Sequence, residues 1–356
     1  MTSPGSPLQP AFQLILNNYL LSQNRLQLIL NFKYRESKLI SQFFQQELPV
    51  CWMILTQKIV TFILLSFVYI SFGIVALNAS RNVVEINYRY DDDCIPIEFG
   101  NNKVEYIQTG ENKKCSQTLT VPNDMKHPIY IYYQLNNFHQ NHLRYLKNRS
   151  NDQLRDVINE AETGTCRPLH KDIGGLPIVP CGLVAWSLFN DTYSFSSRNL
   201  TIPVNKKGIS WKSDWEHKFG SNVFPKNFQS RGQVGGARLD PFIPLSEQED
   251  LMVWMRKAPL LTFRKLYGKI EVDLKKGDKI DVIIYNRYNT YSFNGEKRLV
   301  LSTTSFLGGK NDFLGIISLV GGGLWFLIAL AFILINHFKP RIPGDPASLS
   351  WNQPPG

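Results

Sequence analysis

The chain has 356 residues, of which 43% are hydrophobic and 19% charged, proportions that by themselves are typical of a soluble globular protein. Lysine and arginine number 39 against 29 aspartate and glutamate residues, which gives a formal net charge of +10. The basic residues are scattered among acidic ones and form no long runs, so the charge does not predict a nucleic-acid-binding arm.

The first 40 residues place apolar residues at partly helical spacing among many asparagines and glutamines. Two interpretations stay open for them, a helix on the membrane surface and a mobile cytosolic tail. Cys51, just ahead of the first apolar run, is expected to be a reduced thiol.

Residues 59–77 contain no charged residue and lie between Lys58 and Arg81. At about 1.5 Å of rise per residue, a helix of this length crosses a hydrocarbon core of about 30 Å. A cleavable signal peptide would lie at the extreme N-terminus and have a shorter apolar core. The pattern therefore predicts a transmembrane helix over residues 58–77.

Four of the five cysteines follow this span: Cys94, Cys115, Cys166 and Cys181. An even number of cysteines in an oxidising compartment predicts disulfides, and four cysteines allow three pairings. Pairing between sequence neighbours is the simplest and closes short loops. A zinc site would need close CxxC or CxxH spacings, which the sequence lacks.

Sequons for N-glycosylation occur at Asn78, Asn148, Asn190 and Asn199. Asn78 lies too close to the first span to be a good acceptor. The other three are the predicted glycosylation sites.

The region between the two apolar runs alternates strand and helix patterns. Strands are predicted at 83–90, 128–133, 280–285 and 298–303, and helices at 136–147 and 247–257, the second with Ser246 and Glu249 as a capping box. We expect a β-rich domain, an antiparallel sheet with helical insertions, braced by disulfides.

No catalytic or metal-binding constellation stands out in this region. His139 and His142 are three residues apart, but no acidic residue completes a ligand set, and no GxSxG motif occurs. We predict no catalytic residue, no cofactor and no metal, and interpret the chain as an accessory protein.

A second uncharged run covers residues 313–336, between Asp312 and Lys339, and predicts a second transmembrane helix. Glycines inside a span permit close approach of another helix, so Gly321, Gly322 and Gly323 are candidates for contact with the first span or with a partner.

Basic residues predominate just outside both spans, which predicts cytosolic termini. The predicted divisions are a cytosolic tail at 1–57, an ectodomain at 78–312 and a cytosolic tail at 337–356. The ectodomain is then lumenal or extracellular, in an endoplasmic reticulum, Golgi, endosomal or plasma membrane.

A short segment ahead of the first span has a distinctive order of residues. Residues 43–49 read FFQQELP, followed by Trp52 and by ILT at 54–56. This segment resembles the cytosolic F-x-QQ-x-LP-x-W-x-P-I-L-T sequence of the CDC50/Lem3 family, the β-subunits of P4-ATPase lipid flippases. It departs from that pattern by an extra residue before Trp52 and by Met53 in place of Gln-Pro. The resemblance makes partner-contact candidates of Phe44, Gln45, Gln46, Leu48, Pro49 and Trp52.

Further motifs of the same family follow in the same order. The matching segments are YYQLNNFHQNH at 132–142 with Arg144 and Tyr145, PIVPCG at 177–182, FNDT at 189–192, GISW at 208–211, EDLMVWMR at 249–256, TFRKLY at 262–267, FNGEKR at 293–298 and GGKN at 308–311. The resemblance extends over residues 43–338.

The resemblance implies an obligate partner, a P4-ATPase that moves phospholipid to the cytosolic leaflet. The β-subunit would assist its folding, its exit from the endoplasmic reticulum and its catalytic cycle, while ATP hydrolysis stays with the ATPase. It also favours the pairs Cys94–Cys115 and Cys166–Cys181.

Two other classes of protein share parts of this pattern. A two-span ligand-gated channel subunit has the same topology, but such channels usually have more ectodomain cysteines and polar pore positions. A membrane-tethered ectoenzyme would need a nucleophile or metal cluster. We therefore expect the accessory subunit.

Overall fold

The computed structural model describes residues 51–100, 102–109, 113–198, 200–230 and 232–338. The described residues form two compact units, one of residues 51–73 with 317–338 and one within residues 74–316. The interpretations of the first 40 residues lie outside the described residues.

The first unit contains most of two long helices. Helix α1 spans Cys51–Arg81 and helix α8 spans Asp312–Phe338. Within the described residues, Gln57–Arg81 and all of α8 are long and apolar enough to cross a membrane. Both predicted spans are helical, and α1 extends beyond the predicted run at both ends.

The second unit contains the other helices of the described residues, all of which are short. They are α2 (Lys103–Gln108), α3 (Leu143–Lys147), α4 (Asn151–Arg155), α5 (Leu183–Trp186), α6 (Lys212–His217) and α7 (Glu249–Met255). Single 3-10 turns occur at Ile97–Phe99, Val157–Asn159, Gly164–Cys166, Leu245–Glu247 and Tyr291–Phe293.

Two antiparallel sheets form the body of this unit. Their strands are β1 (Glu85–Arg89), β2 (Lys114–Thr120), β3 (Ile129–Asn136), β4 (Thr192–Ser197), β5 (Leu200–Ile202), β6 (Val204–Asn205), β7 (Phe263–Ile270), β8 (Lys279–Tyr285) and β9 (Glu296–Ser302). One sheet has the order β1-β9-β3-β7-β6 and the other β2-β8-β4-β5. All four predicted strands are present.

Alternating burial explains why these segments form strands. In β3, Ile129, Ile131, Tyr133 and Leu135 are buried and the residues between them are half-buried. Ile280, Val282 and Ile284 of β8 are fully buried in the same core cluster. One core therefore joins the inner faces of both sheets.

Two disulfides brace this unit, Cys94–Cys115 and Cys166–Cys181. The first links the turn after β1 to β2 and so connects the two sheets. The second, with Ile178, forms a small separate core cluster. The pairing between sequence neighbours is confirmed.

The predicted helix at 136–147 is wrong over most of its length. β3 continues to Asn136, and the helix begins only at Leu143. Between them Asn137 has a φ of 59°, and the buried Gln140 accepts a hydrogen bond from the Ala258 N–H at 2.9 Å. This long-range contact holds the segment in an irregular turn, because tertiary context overrides local helix propensity.

The predicted capping box is also wrong, although the helix itself is present at 249–255. Gln248 occupies the N-cap without a side-chain cap hydrogen bond. The Glu249 carboxylate bonds instead to a loop some 40 positions earlier, at Gly208–Ser210.

Candidate partner-binding surfaces

A seam of small residues joins α1 to α8. A Cβ added to Gly322 would lie 2.7 Å from Ile70 Cγ1, and one added to Gly73 would lie 2.8 Å from Leu319 Cγ. Nearer the start of α1 and the end of α8, Phe62 stacks on Trp325 with ring centroids 5.4 Å apart. These glycines allow the two helix backbones to approach closely.

The three consecutive glycines of α8 have different surroundings. Gly322 lies in the seam, and a Cβ on Gly321 would touch only Tyr69 Cδ1, at 3.8 Å. A Cβ on Gly323 would meet no described atom within 4 Å. Its neighbours three and four residues away, Val320 and Leu327, are 66% and 61% exposed. Gly323 therefore marks an apolar face of α8 that α1 leaves open.

A polar contact joins the ectodomain ends of the same helices. Ser80 Oγ donates to Asp312 Oδ1 at 2.5 Å and accepts from the Asn311 N–H at 3.0 Å. Ser80 thus accepts a hydrogen bond from the N–H group just ahead of α8 and donates one to the carboxylate of its first residue. A carboxylate at this position is favoured by the positive end of the helix dipole.

The ectodomain core contains a buried ion pair built from two sequence motifs. Lys297 Nζ donates to Asp191 Oδ2 at 2.7 Å, and both side chains are fully buried. The same ammonium also donates to the Tyr288 carbonyl at 2.7 Å and to Asn286 Oδ1. Burial lowers the pKa of Lys297, and the Asp191 carboxylate opposes this shift.

The Asp191 carboxylate is satisfied from four directions. Its Oδ1 accepts the Arg287 and Tyr288 N–H groups at 2.5 and 2.6 Å, and its Oδ2 accepts the Tyr90 hydroxyl at 2.8 Å besides the lysine. The aspartate of FNDT and the lysine of FNGEKR are therefore structural residues of the core.

Glu249 fixes the loop that precedes α6. Its Oε1 accepts the Gly208 N–H at 2.8 Å, and its Oε2 accepts the Ile209 and Ser210 N–H groups at 2.7 and 2.8 Å. Burial raises the pKa of this carboxyl, but the hydrogen bonds from Ser210, Gly208 and Ile209 outweigh it, so the pKa lies below its usual value. The EDLMVWMR and GISW motifs meet here.

Two tryptophans are exposed to solvent here, one at the end of this loop and one in α6. Trp211 and Trp215 are 63% and 44% exposed, four residues apart, and the Arg256 guanidinium lies 4.2 Å from the centre of the Trp211 ring. Arg256 is held in turn by Asp214 at 3.1 Å. Exposed tryptophans beside an ordered arginine are typical of protein contact surfaces.

The tryptophans are absent from the candidates predicted from sequence. GISW contained Trp211, but a sequence motif alone does not distinguish a buried tryptophan from an exposed one.

His139 and His142 are both exposed, in the turn ahead of α3.

The asparagines of the predicted glycosylation sites differ in their surroundings. Asn148 is buried. Its Nδ2 donates to the Arg167 carbonyl at 2.6 Å, and its Oδ1 accepts a hydrogen bond from the Leu183 N–H at 2.6 Å. Asn190 is half-buried at the wall of a cavity of about 400 Å³. Asn199 lies outside the described residues.

The model of the LEM3 (ligand-effect modulator 3) family / CDC50 family matches residues 76–342, which include the whole ectodomain and the second span. The chain belongs to the CDC50 family.

Curated CDC50 relatives match over most of their own length. ALA-interacting subunit 3 of Arabidopsis thaliana is 60% identical over 89% of this chain and 91% of its own. Putative ALA-interacting subunit 4 of the same plant is 56% identical over 94% and 99%. Cell cycle control protein 50A of Mus musculus is 34% identical over 83% and 88%.

Family membership makes this CDC50 chain a two-span membrane protein. Of the predicted contact residues ahead of the first span, Phe44, Gln45, Gln46, Leu48 and Pro49 lie outside the described residues. Trp52 lies in the first turn of α1, where the structure describes the backbone only. Their role stays a prediction.

Proposed function

We propose that this CDC50 chain is the non-catalytic β-subunit of a P4-ATPase phospholipid flippase. Its function is to assist the folding of the ATPase, its exit from the endoplasmic reticulum and its translocation cycle. The observation that carries the proposal is the family match over both the ectodomain and the second span, together with relatives named for interaction with ALA proteins.

The proposed topology places both termini in the cytosol. The disulfides support an oxidising compartment for residues 78–312, and the excess of basic residues outside both spans supports the orientation. The membrane is that of the endoplasmic reticulum, Golgi, endosome or plasma membrane.

Three surfaces are the proposed contacts with the ATPase. They are the cytosolic segment at 44–52, the open face of α8 at Gly323, and the ectodomain patch at Trp211 and Trp215. A glycine on an apolar helix face allows a second helix to pack closely against it. Exposed tryptophans are typical contacts for a partner protein.

Co-purification tests the function directly. An affinity tag on this chain, after extraction in mild detergent, should recover a P4-ATPase, and uptake of a labelled phospholipid should fail in cells that lack the chain. Recovery of the chain as a stable lone species, or ionic current from the chain expressed alone, would refute the proposal.

The ectodomain patch has a matched control. Trp211→Ala should reduce ATPase recovery, whereas Phe242→Ala, which removes an aromatic ring that is 88% exposed, should not. If the two substitutions changed ATPase recovery equally, the tryptophan patch would not be a contact with the ATPase.

We further propose that Asn190 carries a glycan and Asn148 does not. The Asn148 side chain is buried and its amide is hydrogen-bonded through both atoms, whereas Asn190 is only half-buried, although its Oδ1 is buried and has no hydrogen-bond partner among the described residues. Asn190→Gln should remove one glycosidase-sensitive shift in gel mobility, and Asn148→Gln should leave the mobility unchanged. Asn199 stays a predicted site.

A further inference from the structure

A tight turn lies between the last strand of the ectodomain and the second span. Ser305 and Gly308 bond to each other through both backbone groups, Ser305 N–H to the Gly308 carbonyl at 2.7 Å and Gly308 N–H to the Ser305 carbonyl at 2.9 Å. Gly308 has a φ of 108°, which a residue with a side chain rarely adopts. The turn therefore has a fixed shape with two residues, Phe306 and Leu307, at its tip.

The tip presents apolar side chains outward. Phe306 is 77% exposed and Leu307 is 41% exposed. Removing the surface of a phenylalanine from water is favourable, so an exposed one on an ordered turn favours an apolar contact.

Only a few residues separate the turn from the second span. Leu307 precedes the start of α8 at Asp312 by five positions, which at about 3.4 Å per residue limits their separation to about 17 Å. The start of α8 is itself fixed, because Asn311 and Asp312 both bond to Ser80 at the end of α1.

The apolar surface continues into the helix. Phe313 is 70% exposed and Ile316 is 51% exposed, and both lie in the first two turns of α8. Lys310, also exposed, lies between the turn and the helix. Phenylalanine and leucine side chains of interfacial segments are buried at the boundary between headgroups and acyl chains, and a lysine beside them suits lipid phosphates.

We propose that Phe306 and Leu307 insert into the headgroup region of the bilayer leaflet on the ectodomain side. The occupant of this surface is phospholipid rather than a protein partner, since the exposed tip lies five residues from the start of a membrane-spanning helix whose first two turns also expose apolar side chains. The turn then acts as an anchor that holds the base of the ectodomain against the membrane.

Depth-dependent fluorescence quenching tests this anchor in the full chain. Phe306→Cys and Ile97→Cys, each in a Cys51→Ser background, are labelled with an environment-sensitive fluorophore and reconstituted into phosphatidylcholine vesicles. Ile97 is the matched control because it is an apolar residue that is 99% exposed and lies in the 3-10 turn after β1, outside the segment that joins β9 to α8. Leu307→Cys is the second test position if Phe306→Cys does not fold.

At position 306 we expect a blue-shifted emission and a loss of fluorescence that is larger with a nitroxide near the headgroup than with one deep in the acyl chain. At position 97 we expect neither. The same quenching should persist after the chain is assembled with a P4-ATPase.

Quenching at 306 or 307 no greater than at 97 would overturn the proposal. Quenching that disappears on assembly would also overturn it, and would assign the turn to the protein partner instead.

Discussion

Lys297 connects parts of the ectodomain that are distant in sequence. Its ammonium bonds to Asp191 in the loop before β4 and to the Tyr288 carbonyl in the loop after β8, while its backbone belongs to β9. A buried ion pair contributes little net stability compared with apolar residues of the same volume, but the loss of one partner leaves an uncompensated charge.

Lys297→Met should therefore lower the free energy of unfolding by about 3–5 kcal/mol. Thermal or denaturant unfolding of the full chain in detergent, followed by tryptophan fluorescence, measures the change. Lys279→Met is the control, because Lys279 is an exposed lysine of β8. Similar losses from both substitutions would contradict the role of the buried pair.

Glu249 gives the stability of the ectodomain a dependence on pH. The pKa of its carboxyl is lowered in the folded state because hydrogen bonds from Ser210, Gly208 and Ile209 outweigh the effect of burial. The ionised carboxylate thus stabilises the fold fully above the ordinary glutamate pKa of about 4.3, and this contribution is lost as pH falls through the lower folded-state pKa.

Glu249→Gln should lower the melting temperature at pH 7, and its difference from the unsubstituted chain should shrink as pH is reduced below about 4. Melting curves at several pH values measure this difference. Glu247→Gln removes an exposed neighbouring carboxylate and controls for the change in net charge. A difference that is constant with pH would exclude this assignment.

At the scale of elements, the periodicity of the sequence predicted strands better than helices. β3 and β8 alternate buried residues with less buried ones, as their sequence pattern predicted, whereas β9 ends in four consecutive buried residues. The segment 136–147 has apolar residues at helical spacing, but Gln140 and Asn137 form side-chain hydrogen bonds that stabilise an irregular turn. Such contacts involve residues far along the chain and leave no local pattern.

The two spans illustrate what glycine positions can and cannot predict. The sequence identified Gly321, Gly322 and Gly323 as candidates for close helix contact, but it could not distinguish the contact inside the chain from the open face. Only the rotation of α8 about its own axis, set by its packing on α1, separates Gly322 from Gly323.

Leucine substitutions at these two positions should have different effects. Gly322→Leu places a side chain where even a Cβ would lie 2.7 Å from Ile70, so we expect a reduced yield of folded chain. Gly323→Leu has open space, so the yield should be kept while recovery of the ATPase partner falls. Equal yields of both variants, measured by size-exclusion chromatography, would contradict the seam.

At the scale of the whole molecule, the sequence predicted the architecture but not the second sheet. Two spans, the disulfide-braced ectodomain and its antiparallel strands follow from local composition and from the resemblance to CDC50 proteins. The division into two sheets does not, because β2 and β4 pair with β8, a strand far along the chain, and such long-range pairing leaves no local pattern.

The Cys94–Cys115 bridge connects these two sheets, with a sequence separation of 21. Paired replacement of both cysteines by serine should cost about 3 kcal/mol of unfolding free energy, because the unfolded chain gains conformational entropy. Denaturant unfolding under non-reducing conditions measures this loss. An unchanged unfolding midpoint would show that packing alone holds the sheets together.

The position of β9 has a consequence for biosynthesis. This strand is the last of the ectodomain to be translated, yet it lies between β1 and β3, and pairs Glu85 with Ser302 and Tyr130 with Ser302. Until it arrives, β1 and β3 each expose an unpaired edge, the kind of surface that chaperones and aggregating chains bind. A chain whose synthesis stops before residue 296 therefore keeps both strand edges exposed. The sheet is completed only when β9 has been translated, shortly before the second span.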